Sequence, residues 1–262
     1  MKHNAQVVAF ALQKGGTGKT TTVANTAYIL AELGKRVAVF DFDPQGNLSL
    51  AFGVDPDNLK FTIMDVIQKN CNISKIKFKK LGVDIYPAND QLSRLDMIII
   101  KHANIFPKPG NVLEEIINTV RDQYDYILID LPPSLGLLAI NGLTAADGVV
   151  IPLQTEYFAL SGLKRMLITI NEIIIPEFNS RLKVLGILPT MHDNRLNLSV
   201  GVLERVKRLT DKTPYRVFSA VIARATKFGL APTKGVPAVK LYRNDPIIQE
   251  YREFVKELFD VE

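Results

Sequence analysis

Between Val7 and Thr21 the chain reads Val-Val-Ala-Phe-Ala-Leu and then Gln13-Lys14-Gly15-Gly16-Thr17-Gly18-Lys19-Thr20-Thr21. An apolar run, a glycine-rich turn and Gly-Lys-Thr opening a helical pattern are the context in which a backbone cradles phosphates. Glycines let N–H groups turn inward onto an anion, and the helix N-terminus adds its dipole. Lys19 is expected to reach the β- and γ-phosphates, and the Thr20 hydroxyl a Mg²⁺ ion. Carboxylates complete the set. Asp41 and Asp43 stand at the end of the run 36–41, and Asp130 closes the run 124–130. Asp130 and Asp41 are expected to hold Mg²⁺ with Thr20. Asp43 is the candidate to orient an attacking water, a group that phosphoryl transfer to water requires. It lies two residues past Asp41, so an extended chain points both to one side.

These residues need strands to carry them to one edge. Apolar, β-branched runs recur at 7–12, 36–41, 83–88, 124–130, 148–153, 183–188 and 216–222, with helical patterns between them. Runs so nearly continuous in apolar residues suit strands buried on both faces. Strands alternating with helices predict a single α/β domain over 1–262, with a mostly parallel twisted sheet and helices on both faces. Carboxylates at the ends of such strands share the edge where open α/β sheets bind ligands. The first helix, 20–35, has one apolar stripe through Val23, Ala27, Leu30 and Ala31, with Ile29 off it and Gly34 as its stop. Segment 54–80 carries three Asp and six Lys and reads as short helices. Within it Lys-Asn-Cys-Asn-Ile-Ser-Lys-Ile-Lys-Phe-Lys-Lys (69–80) reads as a basic surface helix.

The chain has 262 residues, 47% of them apolar and 23% charged, ordinary globular usage that excludes a disordered polymer. No apolar run is long enough to span a bilayer. The run Val7–Leu12 is followed by glycines and a lysine rather than a cleavage site, so no signal peptide is expected. One cysteine, Cys71, excludes internal disulfides and multi-cysteine metal centres within the chain. A cytoplasmic protein is the simplest reading. His3, His102 and His192 are scattered and suggest no catalytic set. The net charge of +5 is unevenly spread: residues 181–243 hold thirteen Lys/Arg against three Asp/Glu. Such a block points to a polyanion surface.

The loop departs from the ordinary phosphate-loop pattern, which has a glycine where Gln13 stands. Lys14-Gly-Gly-x-Gly-Lys-Thr-Thr instead resembles the deviant phosphate loop of the ParA/MinD ATPases. Asp41-x-Asp-Pro-Gln-Gly-Asn47 resembles the first switch region of the ParA partition ATPases, and Asp130-x-Pro-Pro133 their Walker B and second switch. Pro152–Leu163 and residues 228–237 resemble further family stretches. Gly229, Leu230 and Ala223 depart from the residues usual there. The likeness runs from Val7 to about Tyr251 and is greatest to the short, Soj-like members, so no N-terminal helix-turn-helix domain is expected.

The resemblance implies an ATPase using ATP and Mg²⁺. Phosphates would lie on Lys14, Gly15, Gly16, Thr17, Gly18, Lys19, Thr20 and Thr21, and adenine near Thr190, Met191, Ala223 and Ala225. Lys14 would cross a dimer interface to the partner's ATP, acting in catalysis with Lys19 and Asp43. It also implies a nucleoid-associated, ATP-bound homodimer that binds DNA without sequence preference and is released by a ParB-like centromere-binding protein. Arg195, Arg205, Lys207, Arg208, Arg216, Arg224, Lys227, Lys234 and Lys240 are the candidate DNA contacts. A MinD-like membrane ATPase is the rival reading. The C-terminal amphipathic stretch 247–259 is acidic, so a packed core helix is expected rather than a membrane anchor. A biosynthetic amide-forming enzyme of the same superfamily stays open as a further alternative.

Overall fold

The computed structural model describes residues 5–211 and 213–261; His3 lies outside them. The elements run β1 (Gln6–Phe10), α1 (Lys19–Glu32), β2 (Val37–Asp41), α2 (Asn47–Ala51), α3 (Ile63–Ile67), β3 (Phe78–Lys80) and β4 (Val83–Tyr86). Next come α4 (Leu95–Lys101), α5 (Val112–Asn118), β5 (Tyr126–Asp130), α6 (Leu137–Ala145), β6 (Gly148–Gln154), α7 (Ala159–Thr169) and β7 (Lys183–Thr190). The chain continues through α8 (Asn197–Thr210), α9 (Lys227–Leu230), α10 (Ala238–Leu241) and α11 (Pro246–Phe259). The seven strands form one sheet in the order β3-β4-β2-β5-β1-β6-β7. Every neighbouring pair is parallel except β3 with β4.

Continuous apolar strands follow from cover on both sides. Val7 and Ala9 of β1 enter one core with Leu113, Leu143 and Leu163, while Val8 and Phe10 enter the other with Leu30, Phe254 and Val255. β2 divides likewise, Ala38 and Phe40 to one layer and Val37 and Val39 to the other. The helix α1 is covered by more than the sheet: α11, α2 and α10 all pack on it. That explains why Ile29, off the predicted stripe, is buried together with Tyr28. Gly34, in the left-handed region, closes α1, with Gly34 N–H donating to the Ala31 carbonyl and Lys35 N–H to that of Leu30. α11 behaves as the expected packed helix: the Asp245 carboxylate caps it by accepting from Ile247 N–H, and Ile248, Tyr251, Phe254 and Val255 are buried.

Two expectations are corrected. The run 216–222 forms no strand. It touches β7 only in separate bridges, with Phe218 N–H donating to the Ile187 carbonyl and Ile222 N–H to that of Pro189. Four residues thus span two on the partner, while Ser219 and Val221 donate their N–H groups to the carboxylates of Glu257 and Glu250 in α11. The basic segment 69–80 is not a helix either. It is a single 3₁₀ turn, Ile73–Lys75, followed by the antiparallel edge strand β3. Exposed Lys79 and Lys80 suit an edge, where lysines discourage further strand pairing. The hairpin turn Leu81-Gly82 has positive φ at both residues, as the tight mirror-image turn needs. A leucine in place of the usual Asn or Asp hides that turn from the sequence.

Candidate functional site

β1 lies at the middle of the parallel strands, and the loop leaving it meets the C-terminal ends of β5 and β2. Phe10 pairs with Asp130, and Asp130 pairs with Asp41, so both carboxylates stand side by side under the loop. Gly16 and Gly18 hold positive φ, and Gly18 forms the left-handed N-cap of α1. A Cβ at Gly16 would meet nothing, so backbone conformation, rather than space, requires glycine there. The free N–H groups of the first turn therefore face outward with no side-chain cap of their own. The Thr190 hydroxyl, from the end of β7, fixes the loop by donating to the Thr17 carbonyl at 2.8 Å.

Lys19 is buried, and its ammonium donates to the Lys14 carbonyl across the loop at 3.2 Å. Burial lowers its pKa, and the charges of Asp130 and Asp43 oppose that shift. The Thr20 hydroxyl donates to Asp130 Oδ2 at 2.6 Å, while Oδ1 of this fully buried carboxylate has no protein partner. Burial first, then the neighbouring charge of Asp41, raises the Asp130 pKa well above the carboxylate range. A hydroxyl beside a buried carboxylate oxygen that lacks a partner fits a divalent cation. Among the described residues no three His, Cys, Asp or Glu side chains gather into an all-protein metal site. That is consistent with magnesium, which is held by few protein oxygens plus phosphates and water.

Asp41 does not open to the cleft as a metal ligand would. Its Oδ2 accepts from both the N–H and the hydroxyl of Ser49, each at 2.8 Å, and Oδ1 accepts from Asp43 N–H at 3.4 Å. Burial pushes its pKa up to about 7, against the lowering effect of the Ser49 hydrogen bonds. Its role here is to hold the loop 42–49 from behind. Asp43 does line the cleft, and its Oδ1 accepts from Gln45 N–H at 3.0 Å. Gly46 permits this tight path: its φ is positive, and a Cβ would come within 2.6 Å of Pro56 and 2.9 Å of the Ala88 carbonyl.

The phosphate side of the cleft is a cavity of about 340 Å³ bounded by the glycine loop, Asp43, Gln45 and Asn47. Beside it lies an apolar slot of about 180 Å³ lined by Thr190, Met191, Ala223 and Ala225, the expected adenine residues, together with Phe228 and Tyr251. The two cavities share Gly18, Thr21 and Met191 and so form one cleft. Sequence reasoning missed Ser49, Phe228 and Tyr251. A polar Ser49 within the apolar Leu-Ser-Leu-Ala stretch is the one available signal; Phe228 lies in the family-like stretch 228–237 and Tyr251 in the helix expected to pack on the core, with nothing in either to mark the cleft. His192 is structural: its Nδ1 is shared with the hydroxyls of Thr155 and Ser199 at 3.0 and 3.1 Å.

Lys14 stands at the loop entrance and pairs with Glu156, which follows β6. The nine basic candidates in the C-terminal third divide. Arg195 is tied to Asp193, Arg208 to Glu204 and Lys227 to Asp245. Arg216 donates to the Leu185 and Glu257 carbonyls and stacks over Phe218, which makes it a brace between β7 and α11. Arg205, Lys207, Arg224, Lys234 and Lys240 are exposed and make no ion pair among the described residues. Arg224 also reaches the adenine slot.

A loop that turns its amides onto an anion, backed by a hydroxyl–carboxylate pair and flanked by an apolar slot, is the arrangement of a phosphate-loop nucleotide hydrolase. Residues 5–184 match the family described as AAA domain. The sporulation initiation inhibitor protein Soj of Bacillus subtilis is 37% identical, over 97% of this chain and 98% of its own. The chromosome partitioning protein ParA of Caulobacter vibrioides is 38% identical, over 89% of this chain and 86% of its own. A crystal structure from Mycobacterium smegmatis, described as cobyrinic acid a,c-diamide synthase with a bound ATP analogue and magnesium, superposes with a TM-score of 0.84. It is 35% identical, over 96% of this chain and 93% of that one. The chain belongs to the Soj/ParA family of ATPases.

Proposed function

We propose that this chain is a DNA-partition ATPase. ATP·Mg²⁺ joins two copies face to face, the pair binds DNA without sequence preference, and a ParB-like partner stimulates hydrolysis and release. The observation that carries this reading is the division of labour between two lysines. Lys19 is buried in its own loop, whereas Lys14 turns away from that loop to Glu156, its ammonium covered although 30% of the side chain is exposed. A lysine held by one partly exposed carboxylate can exchange it for a phosphate supplied across an interface, a stronger charge-assisted partner. Thr20 and Asp130 hold Mg²⁺, Asp43 orients the water, and the slot at Met191 and Ala223 takes the base. Arg205, Lys207, Arg224, Lys234 and Lys240, which form no ion pair among the described residues, supply the phosphate contacts of DNA. No helix among the described residues is long and apolar enough to cross a membrane, and α11 is packed on α1.

The test is co-sedimentation with DNA in ATP, ADP or no nucleotide at one fixed salt concentration, because DNA affinity depends steeply on salt. ATP-dependent binding is expected, with Arg205→Ala lowering the salt slope by about one. Lys14→Ala should bind ATP yet run as a monomer by light scattering. Equal DNA affinity in all three states, or a normal Lys14→Ala dimer, would refute the reading.

One observation favours a second reading, an amide-forming enzyme: the Mycobacterium smegmatis protein is described as a cobyrinic acid a,c-diamide synthase. On that reading ATP would activate a carboxylic acid for attack by a nitrogen donor. Turnover that needs an added acid and amine donor but ignores DNA would support it.

A further inference from the structure

A cavity of about 630 Å³ lies apart from the ATP cleft and shares none of its lining. It lies at the β4 edge of the sheet, separated from the strand that carries the phosphate loop by β2 and β5. Its volume falls within the range of small-molecule sites. Val66, Ile73, Ile116 and Val120 give it apolar walls, and Tyr86 contributes to it from β4. The charged side chains that line it are Lys69 and Lys77, with no carboxylate among the lining residues. Residues 69–80 hold five lysines and no acidic residue, and of the two that line the cavity Lys77 pairs with Asp84 while Lys69 makes no ion pair among the described residues.

The chemistry beneath is ordered and polar. Tyr86 and Tyr124 share a hydrogen bond of 2.8 Å between hydroxyls, and Tyr124 donates to Asp84 Oδ2 at 2.9 Å. Lys77 reaches that same oxygen at 3.4 Å, and Asp84 Oδ1, in a residue 9% exposed, has no partner among the described residues. Lys69 makes no ion pair among the described residues and holds a left-handed backbone, φ 61°, that side-chain-bearing residues rarely adopt. That conformation closes α3, with Lys69 N–H donating to the Val66 carbonyl and Asn70 N–H to that of Asp65, and it leaves the Lys69 side chain at the mouth of the half-apolar cavity without an ion-pair partner among the described residues.

We propose that this cavity binds a small organic anion. A carboxylate, sulfonate or phosphate head would sit between Lys69 and Lys77, and an apolar or aromatic body would lie against Val66, Ile73, Ile116 and Val120. The site is independent of ATP chemistry and stands whether or not the partition reading holds.

Cys71, the chain's one cysteine, lines the same cavity and reports its occupancy. The probe is anilinonaphthalene sulfonate, which has the required head and body, with Cys71 modification by dithiodipyridine as the second readout. Saturable binding of one probe per chain is expected, and the bound probe should slow Cys71 modification. Lys69→Gln combined with Lys77→Gln should weaken binding about tenfold while ATP hydrolysis stays unchanged. Lys164→Gln, on the separate apolar groove between α7 and α8, should leave binding unchanged. Probe binding that neither protects Cys71 nor responds to the lysine pair would overturn the proposal. So would stronger protection of Cys71 by short duplex DNA than by the probe, which would make the lysines part of a nucleic-acid surface.

Discussion

Asp41 gives the sharpest physical test. Its carboxyl is wholly buried and titrates at about 7, against an ordinary 3.8. Each unit corresponds to about 1.4 kcal/mol, so ionising Asp41 within the fold costs roughly 4 kcal/mol as an upper figure. The raised pKa fixes the sign. The neutral acid's share of stability is fully present below the unfolded value near 3.8 and is lost as pH rises through about 7. Asp41→Asn removes the titration, while its amide oxygen can still accept from Ser49. The variant should therefore lack this loss and gain roughly 2–4 kcal/mol relative to the parent between about pH 5 and pH 8. Asp130 adds to the effect with the same sign, because the Asp41 charge is one cause of its own raised pKa. The assay is urea unfolding of both proteins without nucleotide or Mg²⁺ at four pH values, comparing midpoints and slopes. Groups far from the site titrate alike in both chains and cancel in the difference. A difference that stays flat to within ~0.5 kcal/mol, or that runs in favour of the parent as pH rises, would refute the reasoning.

Lys19→Ala should abolish ATP hydrolysis, since it removes the buried cation of the loop; undiminished single turnover would count against its place there. Asp43→Ala should bind ATP·Mg²⁺ with near-parental affinity yet lose about 10²-fold or more in turnover, because a water-orienting group acts on the barrier alone. Titration and single-turnover kinetics on the same sample separate these, and a parallel loss of affinity would move Asp43 to the metal shell. Phe254→Ala should cost about 3–5 kcal/mol in urea unfolding, because the ring is fully buried edge-on against Phe218 where α11 meets the sheet. A cost under ~1 kcal/mol would mean that α11 is not part of the cooperative core.

Much of the fold was legible because parallel strands covered on both faces leave a blunt signature. β1, β2, β5, β6 and β7 all fall on apolar runs, and the Gly-Lys-Thr loop marks the edge at which they gather. What stayed hidden depended on contacts distant in sequence. The 216–222 run has the composition of a strand, but it meets β7 only in separate bridges and gives its other N–H groups to Glu250 and Glu257, from a helix later in the chain. β3 was masked by its lysines and by a leucine in a turn position that usually announces itself with Asn or Asp. Five of the nine basic candidates have local partners, Arg195, Arg208 and Lys227 a carboxylate, Arg216 two carbonyls and a ring, and Lys240 the Tyr28 ring, which charge counting cannot reveal.

The two aspartates of the first switch-like stretch illustrate how a site can use one residue type for opposite ends. Asp43, at the cleft, makes a single contact to Gln45 N–H and keeps an oxygen for solvent or substrate. Asp41, two residues earlier, has both oxygens bound to the backbone and side chain of the loop it begins. Spacing alone puts them on one side of an extended chain, which is why both are expected at the cleft from the sequence. The strand ends at Asp41 and the chain bends at Asp43, while Ser49 in α2 closes on Asp41. The fold thus tolerates a buried carboxyl near its titration point in order to pin both ends of the segment that carries Asp43, Gln45 and Asn47. Local destabilisation in exchange for a fixed loop at the cleft is what sequence rules broken at a candidate site lead one to expect. It follows that Ser49, though it does not line the cleft, controls how well Asp43 is positioned.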